Sequence, residues 1–234
     1  MNTITPTPRK MLIRIIAVFL PIIILCALGI NITAHKRIPS YTSNEQYAEQ
    51  IDLQSMYDVK CNIVMLGNSF IYKVHWNELL NRSDVINRGI GSDITSGYLN
   101  RLENVFKARP KICFVEGGIN DLCKDVPIDT IVHNMKLLVD TLQRKKIKVV
   151  LTSIIHVGEA YPESSRVNQK IDLLNGVIKK EFARNIPIID LNPILSPGGV
   201  LLDRYAQRDA IHLTSKAYII WKDVIEKTLK QESI

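Results

Sequence analysis

A serine at position 69, directly after Gly67-Asn68, and a histidine at position 212, three residues after Asp209, are the side chains of this chain best suited to covalent chemistry. A serine hydroxyl becomes an effective nucleophile when a base takes its proton, and imidazole suits that task near neutral pH. A carboxylate three residues before the histidine lies within one turn of chain, close enough to hold its tautomer and stabilise the imidazolium. Nucleophile, carboxylate and base in this order can make an ester hydrolase. The charge developing on an attacked carbonyl oxygen also needs donors preset around it. Asn87-Arg88-Gly89 and Gly118-Ile119-Asn120-Asp121 lie between the serine and the Asp209/His212 pair and offer such donors. Taken singly, each block is ordinary: a turn after a strand, a loop, a helix cap.

Their placement along the chain gives them joint meaning. Short apolar runs at 62–66, 84–87, 112–116, 149–153 and 186–190 have strand length, with amphipathic stretches between them. Ile131, Met135, Leu138, Val139 and Leu142 recur at helical spacing, as do Ile171, Leu174, Val177 and Ile178. Alternating strand and helix predicts a parallel sheet covered on both faces, a three-layer α/β/α sandwich. In such sheets ligands bind beyond the carboxyl ends of the strands. Ser69 follows the first strand, Gly89 the second and Asn120 the third, so three loops should converge on one edge.

These blocks resemble the SGNH hydrolases, the GDSL-like lipase/acylhydrolase family, over roughly residues 61–228. Within that family, Arg88-Gly89-Ile90-Gly91, Gly118-Ile119-Asn120-Asp121-Leu122 and His212-Leu213-Thr214 are most similar to platelet-activating-factor acetylhydrolase-like and carbohydrate acetylesterase-like members. The resemblance implies a five-stranded parallel, flavodoxin-like sheet and a Ser69–His212–Asp209 triad. It also implies an oxyanion hole built from the Ser69 and Gly89 backbone N–H groups and the Asn120 amide. Asn68 stands where Asp is common, and Ala210 where Gly is usual after the triad Asp. Neither position carries a proton in the mechanism. A glycine at 89 would let the backbone approach the substrate.

The net charge of +7 would suit a nucleic-acid partner, but Arg9, Lys10, Arg14, Lys36 and Arg37 all precede residue 38, and no acid does. The remainder holds 25 basic against 23 acidic residues, so the excess belongs to the N-terminal segment and nucleic acid is not an expected partner. Residues 15–34 form an uncharged stretch of twenty. At about 1.5 Å per residue, a helix of that length spans a hydrocarbon core of about 30 Å. Pro21 is tolerated in membrane helices, and Arg14 can snorkel to the headgroups. An uncleaved anchor is the preferred reading; Ala27-Leu28-Gly29 and Ile32-Thr33-Ala34 leave a cleaved signal peptide as the alternative. Cys26 lacks the small preceding residue of a lipidation site. The basic residues flanking the run lean towards an extracytoplasmic domain. The expected organisation is therefore an anchor or signal over 1–37, a linker with a short polar helix over 38–60, and a hydrolase domain over 61–234.

Cys61, Cys113 and Cys123 are odd in number and so form no complete disulfide framework; buried free thiols are expected at Cys61 and Cys113. No Cys-x-x-Cys or His-Glu-x-x-His spacing supports a metal. Gly89-Ile90-Gly91-Ser92-Asp93-Ile94 mimics a dinucleotide fingerprint but has Ile94 in place of the third glycine, and no Gly-x-Ser-x-Gly elbow surrounds Ser69. No metal or organic cofactor is expected. Asp121 is expected to order its loop, with contact to substrate as the alternative, Trp76 and Trp221 to be core, and His156 to face solvent, with a place in the cleft as the alternative; His75 and His133 suggest no role. The expected activity is removal of short acyl groups such as O-acetyl from carbohydrate through an acyl-enzyme on Ser69. A lysophospholipase acting on acyl lipids would equally suit a tethered enzyme, and a catalytically silent binding module could keep the fold.

Overall fold

A computed structural model describes residues 39–234. The expected anchor or signal over 1–37 lies outside the described residues, and among those described no helix is long and apolar enough to cross a membrane. The described chain opens with α1 (Glu45–Met56), capped by Asn44, whose Oδ1 accepts the Gln46 N–H. The strands follow as β1 (Ile63–Gly67), β2 (Val85–Gly89), β3 (Ile112–Glu116), β4 (Lys148–Thr152) and β5 (Ile188–Ile189). All pairings are parallel, in the order β2-β1-β3-β4-β5. With its flanking helices this is the expected α/β sandwich in flavodoxin-like strand order.

Every residue of β1 and β3 is buried, as the apolar runs Ile63–Leu66 and Ile112–Val115 require of strands covered on both faces. Only β5 falls well short of its predicted span. Pro187 has no N–H to give a ladder, and its carbonyl instead accepts the Leu151 N–H at the start of this edge strand. Between strands run α2 (Ser69–Tyr72), α3 (Trp76–Leu79), α4 (Thr95–Asn100), α5 (Leu102–Phe106), α6 (Ile119–Cys123), α7 (Ile128–Arg144), α8 (Ser164–Phe182), α9 (Asn192–Leu195) and α10 (Ser215–Gln231). Helix α7 buries Ile131, Met135, Leu138, Val139 and Leu142, and α8 buries Ile171, Leu174 and Ile178 with Val177 half-buried, so the read periodicity marks the packed faces.

The sheet register matters most for the site. Gly67 pairs with Gly89, and Leu66 with Val115. The first three strands therefore end level, and the chain leaves each of them on one edge. Trp76 and Trp221 are core, packed edge to face at 5.3 Å. Trp76 Nε1 donates to the Ile71 carbonyl and Tyr218 Oη to the Phe70 carbonyl, both at 2.9 Å. Asn87 Nδ2 donates to the same Ile71 carbonyl at 2.7 Å, and together these bonds fix the segment carrying Ser69.

Candidate active site

Asn68 Oδ1 accepts the Phe70 N–H at 2.9 Å and turns the chain sharply from β1 into α2, so Ser69 sits where the strand ends. Its Oγ lies 2.9 Å from His212 Nε2, and His212 Nδ1 lies 2.6 Å from Asp209 Oδ2. Asp209 Oδ1 also accepts the N–H groups of Ile211 and His212 at 3.2 and 2.9 Å. Burial pushes the Asp209 carboxyl up, but the hydrogen bonds from the His212 ring and these two N–H groups outweigh it and hold the group at about 2. It is therefore ionised across the neutral range, and can stabilise the positive charge that His212 acquires on taking the Ser69 proton. Ala210 makes this tight Asp209–His212 turn with φ at 57°, the left-handed region where glycine is at ease. Its carbonyl accepts the Gly158 N–H at 2.6 Å, tying the turn to the loop after β4. The geometry thus joins the three residues of the expected triad in one hydrogen-bonded chain.

Ser69 and His212 line a cleft of about 270 Å³ together with Gly91, Ser92 and Asn120. Gly118, at φ 124°, takes a conformation closed to other residues as it turns β3 into α6, and so presents Asn120. Asn120 Nδ2 donates one hydrogen to the Asp93 carbonyl at 2.8 Å, which fixes the amide and leaves its second N–H for the cleft.

Gly89 is a correction. Its N–H is already given to Asn87 Oδ1 at 2.7 Å, and it does not line the cleft. It is glycine because α2 packs directly on the end of β2: a Cβ there would come within 2.7 Å of Tyr72 Cα. The cleft is lined instead by Gly91 and Ser92, two and three residues on. Among the described residues, the N–H groups of Ser69, Gly91 and Ser92 have no partner. Ser92 holds φ at 57°, a strained value for a side-chain-bearing residue and one that a sequence does not reveal.

Other contributors were not singled out in the sequence. Arg101, 2% exposed, pairs through Nε with Asp93 Oδ2 at 2.9 Å and donates through its other nitrogens to the Arg88 and Gly67 carbonyls. One guanidinium thus ties together the ends of β1 and β2 and the loop carrying Ser92. Asp121, as expected, orders its surroundings: its carboxylate accepts the Thr95 N–H at 3.1 Å and the Thr95 hydroxyl at 2.6 Å. Helix α1, which falls where a linker and short polar helix are expected over 38–60, is bound to the β2–α4 loop and to α4. Asn44 Nδ2 donates to the Gly91 carbonyl at 2.7 Å, and Tyr47 Oη to the Gly97 carbonyl at 2.8 Å. Gln46 from the same helix reaches the cleft.

Beneath Ser69, Glu116 is wholly buried at the end of β3, and neither of its oxygens has a hydrogen-bond partner among the described residues. Burial pushes its carboxyl up to about 8; the Asn68 amide facing it lowers this slightly without reaching hydrogen-bond geometry.

His156 corrects the expectation of a solvent-facing histidine. It is buried, with Nδ1 2.7 Å from Ser196 Oγ and Nε2 2.9 Å from Asp172 Oδ1. Ser, His and Asp meet here too, but Ser196 is 3% exposed and its hydroxyl lies 3.0 Å from Asn192 Oδ1. The cluster clamps α8 and α9 to the loop after β4. His75 and His133 are exposed. Cys61 and Cys113 are buried free thiols and Cys123 is exposed. Among the described residues no group of three or more His, Cys, Asp or Glu could hold a metal ion.

Comparison with solved structures places this fold beside a GDSL-like lipase from Bacteroides thetaiotaomicron, at TM-score 0.69 and 22% identity over 80% of this chain and 98% of that one. An acetyl xylan esterase is similar at TM-score 0.59 and 20% identity, covering 71% and 98% of the two chains. Among curated proteins, an N-acylneuraminate cytidylyltransferase of Streptococcus agalactiae is 31% identical over 120 residues, 51% of this chain but only 28% of that relative. The chain thus matches a minor part of the length of its curated relatives. The model of the GDSL-like lipase/acylhydrolase family matches residues 65–220, from β1 into α10. The chain therefore belongs to the GDSL-like lipase/acylhydrolase family.

Proposed function

We propose that the protein removes short acyl groups, such as O-acetyl, from carbohydrate through an acyl-enzyme on Ser69. The observation that carries this reading is the unbroken chain Asp209–His212–Ser69 opening on a cleft. Ser69 Oγ attacks the ester carbonyl while His212 Nε2 takes its proton. The oxyanion accepts from the Ser69 and Ser92 N–H groups and the free Asn120 amide hydrogen; Ser92 here takes the part that the sequence had given to Gly89. Collapse expels the alcohol, which receives the proton from His212. Water activated by the same base then frees the acid and restores Ser69.

The cleft volume of about 270 Å³ falls just below the roughly 300–1,000 Å³ of sites that enclose drug-sized ligands, which favours a short acyl group over a long chain. The acetyl xylan esterase of like fold and the relative named for an N-acylneuraminate both lend support to a carbohydrate alcohol. The uncharged run over 15–34 supports a membrane anchor holding an extracytoplasmic domain, with a cleaved signal peptide as the alternative. A series of nitrophenyl esters of rising chain length, followed by acetylated sugars and lysolipids, tests the reading. Rates should fall steeply beyond the shortest acyl groups. Preference for long chains would assign the enzyme to acyl lipids. Absence of both turnover and fluorophosphonate labelling at Ser69 would leave a silent binding module.

A further inference from the structure

Lys73 and Gln46 face the cleft and are used by no step above. Lys73 follows Ser69 by four residues, so the turn of α2 sets both on one side. Its ammonium has no hydrogen-bond or ion-pair partner among the described residues. Lys124, at the end of α6, adds a second cation whose Nζ lies 3.4 Å from the Ser92 carbonyl and makes no ion pair among the described residues. The acids nearby are engaged: Asp209 with His212, Asp93 with Arg101 and Asp121 with Thr95. Outside the N-terminal segment the chain is close to neutral, so this local excess of positive charge is not part of a general basicity. The Gln46 side chain, with Oε1 lying over Gly91, likewise has no hydrogen-bond partner among the described residues.

We infer that the ester this site prefers is carried by an acidic carbohydrate, whose carboxylate or phosphate is held by Lys73 while Gln46 binds a neighbouring hydroxyl. This rests on the esterase reading above and specifies its leaving group. An unpaired cation in a cleft focuses the field on an arriving anion and strengthens binding wherever water is partly displaced.

The test uses the full chain in a nonionic detergent and three acetyl esters on one sugar skeleton: a neutral glycoside, its uronic-acid counterpart and its phosphorylated counterpart. At low salt, kcat/KM for one charged ester should exceed that for the neutral ester by about tenfold, and the preferred arm identifies the anion. Lys73→Ala should cut that ratio about fivefold or more, and Lys73→Glu should bring it below one. Salt at about 0.5 M should narrow it in the wild type, since screening shortens the reach of an exposed charge. Equal kcat/KM for all three esters overturns the inference and leaves the esterase reading standing. So does a ratio that survives in both variants. Failure to hydrolyse any of them or nitrophenyl acetate, with Ser69 unlabelled by fluorophosphonate, overturns the esterase reading and this inference together.

Discussion

Replacing Glu116 by Gln should make the protein more tolerant of alkaline pH, and the structure sets the size of the effect. The carboxyl is wholly buried, has no hydrogen-bond partner among the described residues, and is raised from 4.5 to about 8, chiefly by burial. One pKa unit corresponds to about 1.36 kcal/mol, so the rise amounts to about 3–5 kcal/mol, the lower end allowing for relaxation around the charge. A group raised in the folded state contributes its stability fully below its unfolded value and loses it as pH climbs through its folded value. The wild type should therefore lose about 3–5 kcal/mol between roughly pH 4.5 and 8 that the non-titrating Gln variant keeps. Urea unfolding of both proteins at about pH 4 and about pH 9 measures this as a change in their difference, which cancels any packing cost of the substitution itself. With total stability commonly about 5–15 kcal/mol, the effect would be plain. A wild-type-to-variant difference that stays the same at both pH values would refute the reasoning. It would mean that Glu116 keeps its ordinary carboxylate pKa or finds a partner in solution. Because the Asn68 amide of the Ser69 turn faces this carboxyl, kcat of the wild type should decline as pH climbs through about 8 and that of the Gln variant should not.

Four further outcomes follow from the same geometry. Asn120→Ala should lower kcat about a hundredfold with a smaller change in KM, because the amide serves the developing oxyanion; an effect confined to KM in steady-state kinetics would make Asn120 a positioning residue. Arg101→Met should cost about 3–5 kcal/mol in urea unfolding by stranding the buried Asp93 charge, and restoring neutrality with Asp93→Asn should recover much of it. His156→Ala should cost about 1–3 kcal/mol by releasing its bonds to Ser196 and Asp172 while leaving the Ser69 labelling rate of the folded protein near wild type, whereas Asp209→Asn should depress that labelling by orders of magnitude without unfolding the chain.

The sequence alone determined the parts whose logic is local. Apolar runs of strand length separated by helical periodicities require a covered parallel sheet, and Ile131 to Leu142 and Ile171 to Ile178 mark the packed faces. Asp209 and His212 are one turn apart, so their meeting needs only that turn. Ser69 and Asn120 follow directly from strand ends, and parallel strands in register carry those ends to one edge. Tertiary structure decided whatever depends on which backbone groups and charges remain unpaired once distant segments meet. Gly89 looked like the oxyanion glycine, yet its N–H is taken by Asn87 and its missing side chain makes room for α2, so the open N–H groups fall at Gly91 and Ser92. His156 looked like a loop histidine until Ser196 and Asp172, forty and sixteen residues away, closed around it. Nothing in the sequence marks Arg101 or Glu116, and only the packed sheet makes one a tie between strand ends and the other a buried acid. Helix α1 carried no sign of a role, because Gln46 reaches the cleft through bonds to a loop about fifty residues away. Short-range spacing specifies what a turn or a strand must do; the partners left to a backbone N–H or a buried charge are set by contacts between segments that sequence proximity does not encode.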